Sequence, residues 1–369
     1  MLQDHMIIAR RQIEKQKPYS IVNFIGFTLS VACCLCIALY IRNELNHDQH
    51  HPNVDNIYRV VIDTKINAWN IYGKNCAGPS ILGNTLAAQI PEITNTARLK
   101  PYCDNGQAIL MRKEKGKNNQ HEENFVYADQ SFFEIFHLPL IYGSKEEILT
   151  QPNTIVITER IAEKYFPNRN PLGEILVLND KQEQSYRVTG VVENFPNQSS
   201  FDFDFFMAMP TLFNVDSNTT WEANNYYTYV TLAKGTSANQ LTEKLKGFSL
   251  KNLNQQFKEI LAIDVQHLKA TSQGHLVELQ PFSDIYLYSA GYKTPAFEEN
   301  GDIRNVLLFA LLAFFIFLNA VVNFTNLSMA RSVKQAKELD LRIALNYRNQ
   351  KFIARKGLNA KSRLKIVID

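Results

Sequence analysis

Asn305 to Ala330, NVLLFALLAFFIFLNAVVNFTNLSMA, contains no charged residue. A bilayer core about 30 Å thick needs roughly 20 helical residues to cross it, and this run is long enough. A buried helix of a water-soluble protein would normally show a polar face over such a length. Asp302 and Arg304 stand before the run, and Arg331, Lys334, Lys337, Arg342 and Arg348 form a basic collar after it. The run reads as a membrane span whose C-terminal side faces the cytoplasm, where basic flanks concentrate.

Ile21 to Ile41, IVNFIGFTLSVACCLCIALYI, is a second uncharged run. Arg10, Arg11, Lys15 and Lys17 precede it, while Arg42, Glu44, Asp48 and Asp55 follow, which places the N-terminus in the cytoplasm. A cleaved signal would have a shorter apolar core ending in small residues. Ser30-Val31-Ala32-Cys33 resembles a lipoprotein cleavage box poorly, so the run is expected to stay as a span. The two flanks agree, and the chain divides into a cytoplasmic amphipathic segment (1–17), a first span (18–42), an exported domain (43–304), a second span (305–330) and a cytoplasmic amphipathic helix with a basic tail (331–369). In the first segment Met6, Ala9 and Ile13 fall at helical spacing, as in a helix lying on a membrane surface.

The mean hydropathy of −0.22 and formal charge of +3 average over this split. Basic residues sit beside the apolar runs, so the charge gives no sign of a nucleic-acid partner. Of the five cysteines, Cys33, Cys34 and Cys36 fall in the first span and act there as small apolar side chains. Cys76 and Cys103 lie in the exported region, where a disulfide is chemically open to them.

The exported region predicts an α+β domain. Strands are expected at Ile57–Asp63, with Tyr58, Val60 and Ile62 on one face, at Thr154–Thr158 and at Tyr226–Leu232. Ile175–Leu178 and Tyr186–Val192 predict a hairpin around Asn179-Asp180-Lys181. Helices are expected over Pro79–Ile90 and after Thr158, the latter with Ile161, Ala162, Tyr165 and Phe166 inward, and Ser237 is placed to cap another. Asn170-Pro171-Leu172-Gly173 predicts a turn, and 118–124 and 215–220 predict polar loops. Strands interleaved with short helices favour α+β over other classes. Beyond the second span, Val333, Ala336, Leu339 and Ile343 mark a basic amphipathic helix, while the last stretch from Leu345 shows no clear organisation.

The sequence carries no recognisable catalytic motif. Gly73-Lys74 and Gly116-Lys117 are each followed by Asn, so no phosphate-binding loop is completed. No G-x-S-x-G elbow occurs. His47, Asp48, His50 and His51 form a metal-like cluster, and His47 and His51 could share a helix face, but no further ligand is evident and no metal site or cofactor is assigned. Asn23 in the first span and Asn319 and Asn323, one turn apart in the second, read as helix-packing residues, because amides in lipid seek partners on neighbouring helices.

Several segments together resemble one family. Ser20-Ile21-Val22-Asn23-Phe24-Ile25-Gly26, Tyr40-Ile41-Arg42-Asn43-Glu44-Leu45, Ile57-Tyr58-Arg59-Val60, Ala128-Asp129-Gln130-Ser131-Phe132-Phe133-Glu134-Ile135-Phe136, Ile157-Thr158-Glu159, Asn170-Pro171-Leu172-Gly173, Gln280-Pro281-Phe282-Ser283-Asp284-Ile285-Tyr286-Leu287 and Asn323-Phe324-Thr325-Asn326 resemble, in order and spacing, ABC transporter permeases of the FtsX/MacB type. The resemblance implies two transmembrane helices flanking a periplasmic core domain of the MacB kind, in a bacterial inner membrane. It implies a separate ABC ATPase as partner, membrane lipid around the spans, a possible periplasmic adaptor, and a missing permease half or a homo-oligomer, with efflux or extrusion as the class of work. Arg10, Arg11, Arg331, Lys334, Lys337, Glu338 and Arg342 are the expected ATPase-docking residues. Where such permeases turn after the cytoplasmic helix, this chain has Asn346-Tyr347-Arg348-Asn349, and nothing apolar enough to span follows Ala330, so a truncated or split permease is expected. A two-span sensor or a membrane-anchored scaffold, with an exported ligand- or partner-binding domain, is the alternative.

Overall fold

The computed structural model describes residues 17–49, 51, 53–66, 71–102, 108–112, 120–178, 184–196, 198–213, 221, 225–253, 274–293 and 301–365. They form two compact units: residues 43–305, and the helical residues on either side of that stretch. The expected segment 1–17 lies, but for its last residue, outside the described residues.

Helix α1 is Lys17–Leu45. A turn and the short 3-10 helix Val54–Asn56 lead to β1 (Ile57–Ile66), β2 (Ile71–Asn75), β3 (Ala77–Gly78), α2 (Leu82–Gln89), β4 (Ile93–Pro101), β5 (Ala108–Arg112), β6 (Gln120–Glu122) and β7 (Phe125–Ala128). Next come α3 (Ser131–Phe136), β8 (Leu140–Gly143), β9 (Thr154–Thr158), α4 (Glu159–Tyr165), β10 (Ile175–Leu178), β11 (Gln184–Val192), β12 (Phe205–Ala208), α5 (Pro210–Phe213), β13 (Tyr226–Leu232), α6 (Thr242–Phe248), β14 (Gly274–Pro281), α7 (Ile285–Tyr288) and α8 (Ile303–Lys365).

The strands form one mixed sheet in the order β14-β1-β13-β4-β7-β12-β9-β11-β10-β5-β6, with β2, β3 and β8 paired to β1, β13 and β11. β11 runs parallel to β9, and β12 parallel to β7. The α+β expectation therefore holds. Strands β9 (TIVIT) and β12 (FFMA) are buried at every residue, as continuous apolar runs are when both faces of a sheet are covered. Edge strand β14 is shielded too: the Ser249 hydroxyl accepts from the Val277 amide at 2.8 Å and donates to the Leu245 carbonyl at 2.7 Å, occupying an edge that would otherwise recruit another strand.

Two expectations are corrected. Residues 118–124 are not all loop: Gln120–Glu122 pairs with β5 in register Leu110↔Gln120, Ile109↔His121 and Ala108↔Glu122. Within it, buried Glu122 accepts from the Tyr165 hydroxyl at 2.6 Å and pairs with Lys164 at 2.6 Å. The stretch after Leu345 is helical through Lys365. It contains Ala, Leu, Lys, Arg and Gln, which favour helix, and no proline to stop it. Asn346–Asn349 continues that helix where the resembled family turns.

In the helical unit, Phe24–Leu45 and Ile303–Asn326 are long and apolar enough to cross a membrane. They pack antiparallel. Phe27 meets Phe324 at 5.9 Å between ring centroids, the Cys34 thiol reaches the Ala313 carbonyl at 3.5 Å, and Tyr40 meets Phe309 at 5.2 Å. Small Ala320 is buried, as close helix approach in lipid requires. Leu29, Leu39, Leu307, Phe314 and Phe317 face outward.

Candidate functional site: the root of the domain

Helix α1 ends at Leu45, and residues 46–49 turn the chain toward β1. This root is unusually well fastened. Asp48 holds φ +59°, a left-handed backbone that aspartate tolerates better than most residues. Its carboxylate accepts from the Ser200 amide at 2.7 Å and from the Ser200 hydroxyl, while its own amide donates to the Gln198 carbonyl at 2.9 Å. Gln198 also donates to the Asn43 side chain at 2.6 Å. Asp48 is 1% exposed, so this carboxylate has given up water for protein donors.

His51 is buried between the rings of Phe136 and Phe282, at 5.3 and 5.5 Å, with Nδ1 3.2 Å from the Phe136 carbonyl oxygen. His47 stacks on Tyr286, centroids 3.7 Å apart and planes 11° from parallel. The Tyr286 hydroxyl donates to Glu44 at 3.1 Å. His47 and His51 thus serve different neighbours instead of sharing a helix face, and His50 lies outside the described residues. Among the described residues no group of His, Cys, Asp or Glu could hold a metal ion.

The root sits on an aromatic core. Phe201 touches Phe132, Phe136, Phe203, Tyr229 and Phe282 at centroid distances of 5.0 to 5.6 Å. Such contacts prefer edge-on or offset geometry, and the Phe136–Phe201 planes meet at 84°. Phe132, Phe133 and Phe136 come from α3, and Phe282 from the segment after β14, so the turn at 198–201 joins them to the start of the domain.

Buried charges brace this framework. Arg59 is fully buried; it donates to Gln280 and Ser289, each at 2.7 Å, and lies 5.6 Å from the Tyr292 ring centroid. Arg98 forks onto both oxygens of Asp129 at 2.7 and 2.8 Å and donates to the Ser80 carbonyl at 3.0 Å. Burial opposes the Arg98 charge, but the Asp129 hydrogen bonds and charge more than offset it and hold the guanidinium's pKa above its usual value. Burial also pushes the Tyr165 and Tyr186 hydroxyls upward, so both stay protonated. His275 is pushed down to about 4 by burial and is neutral, its Nδ1 2.9 Å from the Thr64 hydroxyl.

The sequence-predicted residues fall elsewhere. Arg10 and Arg11 lie outside the described residues, as does Cys103, the partner considered for buried Cys76. Arg331, Lys334, Lys337, Glu338 and Arg342 lie on α8, with Lys337 exposed. Asn319 and Asn323 are exposed on the same helix, and Asn23 lies in α1. The sequence singles out Asp48 only within a metal-like cluster, not as the partner of Ser200, and gives no such role to Ser200 or Tyr286. The one available signal was a polar cluster set directly against the end of an apolar run.

The profile of the MacB-like periplasmic core domain matches residues 20–248, more than half of the chain. Among solved structures the chain is similar to a domain described as that of a permease from Porphyromonas gingivalis, at 21% identity and TM-score 0.48, covering 63% of this chain and 92% of that one. It is also similar to the periplasmic region of MacB from Actinobacillus actinomycetemcomitans (15%, TM-score 0.38, 59% and 92%). A third likeness is to the extracellular domain of the noncanonic ABC-type transporter YknZ from Gram-positive bacteria (13%, TM-score 0.38, 61% and 100%). No curated protein matches the chain.

Proposed function

We propose that this chain, which belongs to the MacB-like periplasmic core domain family, is a permease subunit of an ABC transporter in which a separate ATPase drives motion of the domain. The observation that carries this reading is the extent of the family match. It begins inside the first apolar helix and runs through most of the domain, after which a second apolar helix follows. The work is extrusion or efflux: the domain moves as a solid body on the outer side of a bacterial inner membrane, and both helix ends beyond the spans lie in the cytoplasm. The root described above supports this role, because a domain that is to be pulled needs an attachment that does not unravel under load.

Arg331, Lys334, Lys337, Glu338 and Arg342 on α8, together with Arg10 and Arg11, form the ATPase-docking surface in this reading. A second permease half or a second copy of the chain completes the transporter, with Asn23, Asn319 and Asn323 facing neighbouring helices, and a periplasmic adaptor extends it. Co-purification from detergent with the cognate ABC ATPase tests the proposal. The wild-type chain retains the ATPase, and the double substitution Lys334→Glu, Lys337→Glu loses it. An ATPase retained by the double variant contradicts the docking role, and none retained by the wild type contradicts the permease role.

A further inference from the structure

Tyr286 touches both ends of the domain's chain. On one side are Glu44 and His47, from the segment that enters the domain: the hydroxyl donates to Glu44 at 3.1 Å and the ring stacks on His47 at 3.7 Å. On the other is Gly301, from the segment that leaves it. A Cβ built at Gly301 would lie 2.7 Å from Tyr286 Cε1, 2.9 Å from Cζ and 3.2 Å from Glu44 Oε2. No side chain fits there without displacing the ring. The leaving segment is itself ordered at this point, since Asp302 accepts from the Arg304 amide at 2.8 Å and caps the start of α8.

We infer that Tyr286 is a positioning residue that ties the entering and leaving segments of the domain into one knot, with Gly301 as the close approach that makes the knot possible. Entry and exit therefore cannot separate at the domain end unless Tyr286 gives way. The same ring leads into the rest of the root, because His47 is followed by Asp48 and its latch onto Ser200. In a transporter this confines relative motion of the two joined helices to their far ends. That consequence rests on the permease reading, whereas the knot itself does not.

Hydrogen exchange on the full chain in lipid nanodiscs, without any ATPase, tests the knot alone. Gly301→Ala wedges the leaving segment away from Tyr286. The amides of Asp48 and His51, more than two hundred residues away in sequence, are expected to exchange at least about tenfold faster. Amides of β9 at Ile155–Ile157 keep their wild-type rate, which a general loss of stability would not allow. Tyr286→Phe, which keeps the ring and removes one hydrogen bond, gives about fivefold at the same amides and serves if the glycine variant does not fold. If both variants leave Asp48 and His51 at wild-type rates, or if β9 accelerates equally, the knot is refuted. Failure of ATPase co-purification, by contrast, refutes the transporter reading and leaves this result standing.

Discussion

Phe201 and Phe314 are the same side chain in opposite settings: one is 1% exposed at the centre of the domain, the other 57% exposed on α8. The domain buries the phenylalanines of its core and pins its buried polar groups to each other. The helix pair turns Phe314, Phe317, Leu307 and Leu29 outward and satisfies its backbone within each helix. An outward apolar surface on that scale is what lipid requires and water penalises. The difference teaches that one chain is folded for two solvents, and that burial is the driving force in only one of its units.

Substituting the two phenylalanines tests that contrast most strongly. Phe201→Ala should cost about 3–5 kcal/mol of domain stability through its cavity, whereas Phe314→Ala should shift it by less than about 0.5 kcal/mol. Denaturant unfolding in micelles, followed by near-ultraviolet circular dichroism, reads both, and equal costs would break the comparison. A second contrast lies between ion pairs. Asp129→Ala strands a buried guanidinium and should cost about 3 kcal/mol. Glu243→Gln, at an exposed pair with Lys246, should change stability by less than about 0.5 kcal/mol.

A third contrast is a pH dependence confined to the domain. His275 is neutral when folded, with its pKa lowered to about 4, against an ordinary value of 6.5. Between these values the unfolded chain binds more protons, so the stabilisation is complete above about pH 6.5 and falls as the pH drops toward 4. The loss is on the order of 3 kcal/mol by pH 4. His275→Gln should flatten that part of the stability profile, while the melting of the helix pair stays unaffected across the same range.

Much of this was legible in the residues. The uncharged runs marked both apolar helices, and TIVIT followed by Ile161, Ala162 and Tyr165 fixed β9 and α4. Ser237 caps as expected, through a reciprocal capping box with Gln240. The β10–β11 pair also formed, although its turn lies outside the described residues. What local pattern could not carry was long-range partnership. Arg59 sits within an alternating strand and should face water by period alone, yet Gln280, its register partner on β14, and Ser289 bury it. Glu122 looked like loop because polar residues surround it, and its strand exists only through β5, Tyr165 and Lys164. The root was hidden for the same reason: Asp48, Ser200, Tyr286 and Gly301 are scattered along the chain and meet only in the fold.

The account stands on the domain and the far end of α8 lying on opposite sides of one membrane. In a background with Cys33, Cys34, Cys36, Cys76 and Cys103 replaced by serine, Glu163→Cys and Lys337→Cys place one thiol in each region, both at exposed positions. A membrane-impermeant maleimide added to intact spheroplasts should label the Glu163→Cys chain at once and the Lys337→Cys chain only after lysis. Labelling of both before lysis, or protection of the Glu163→Cys chain, would contradict it.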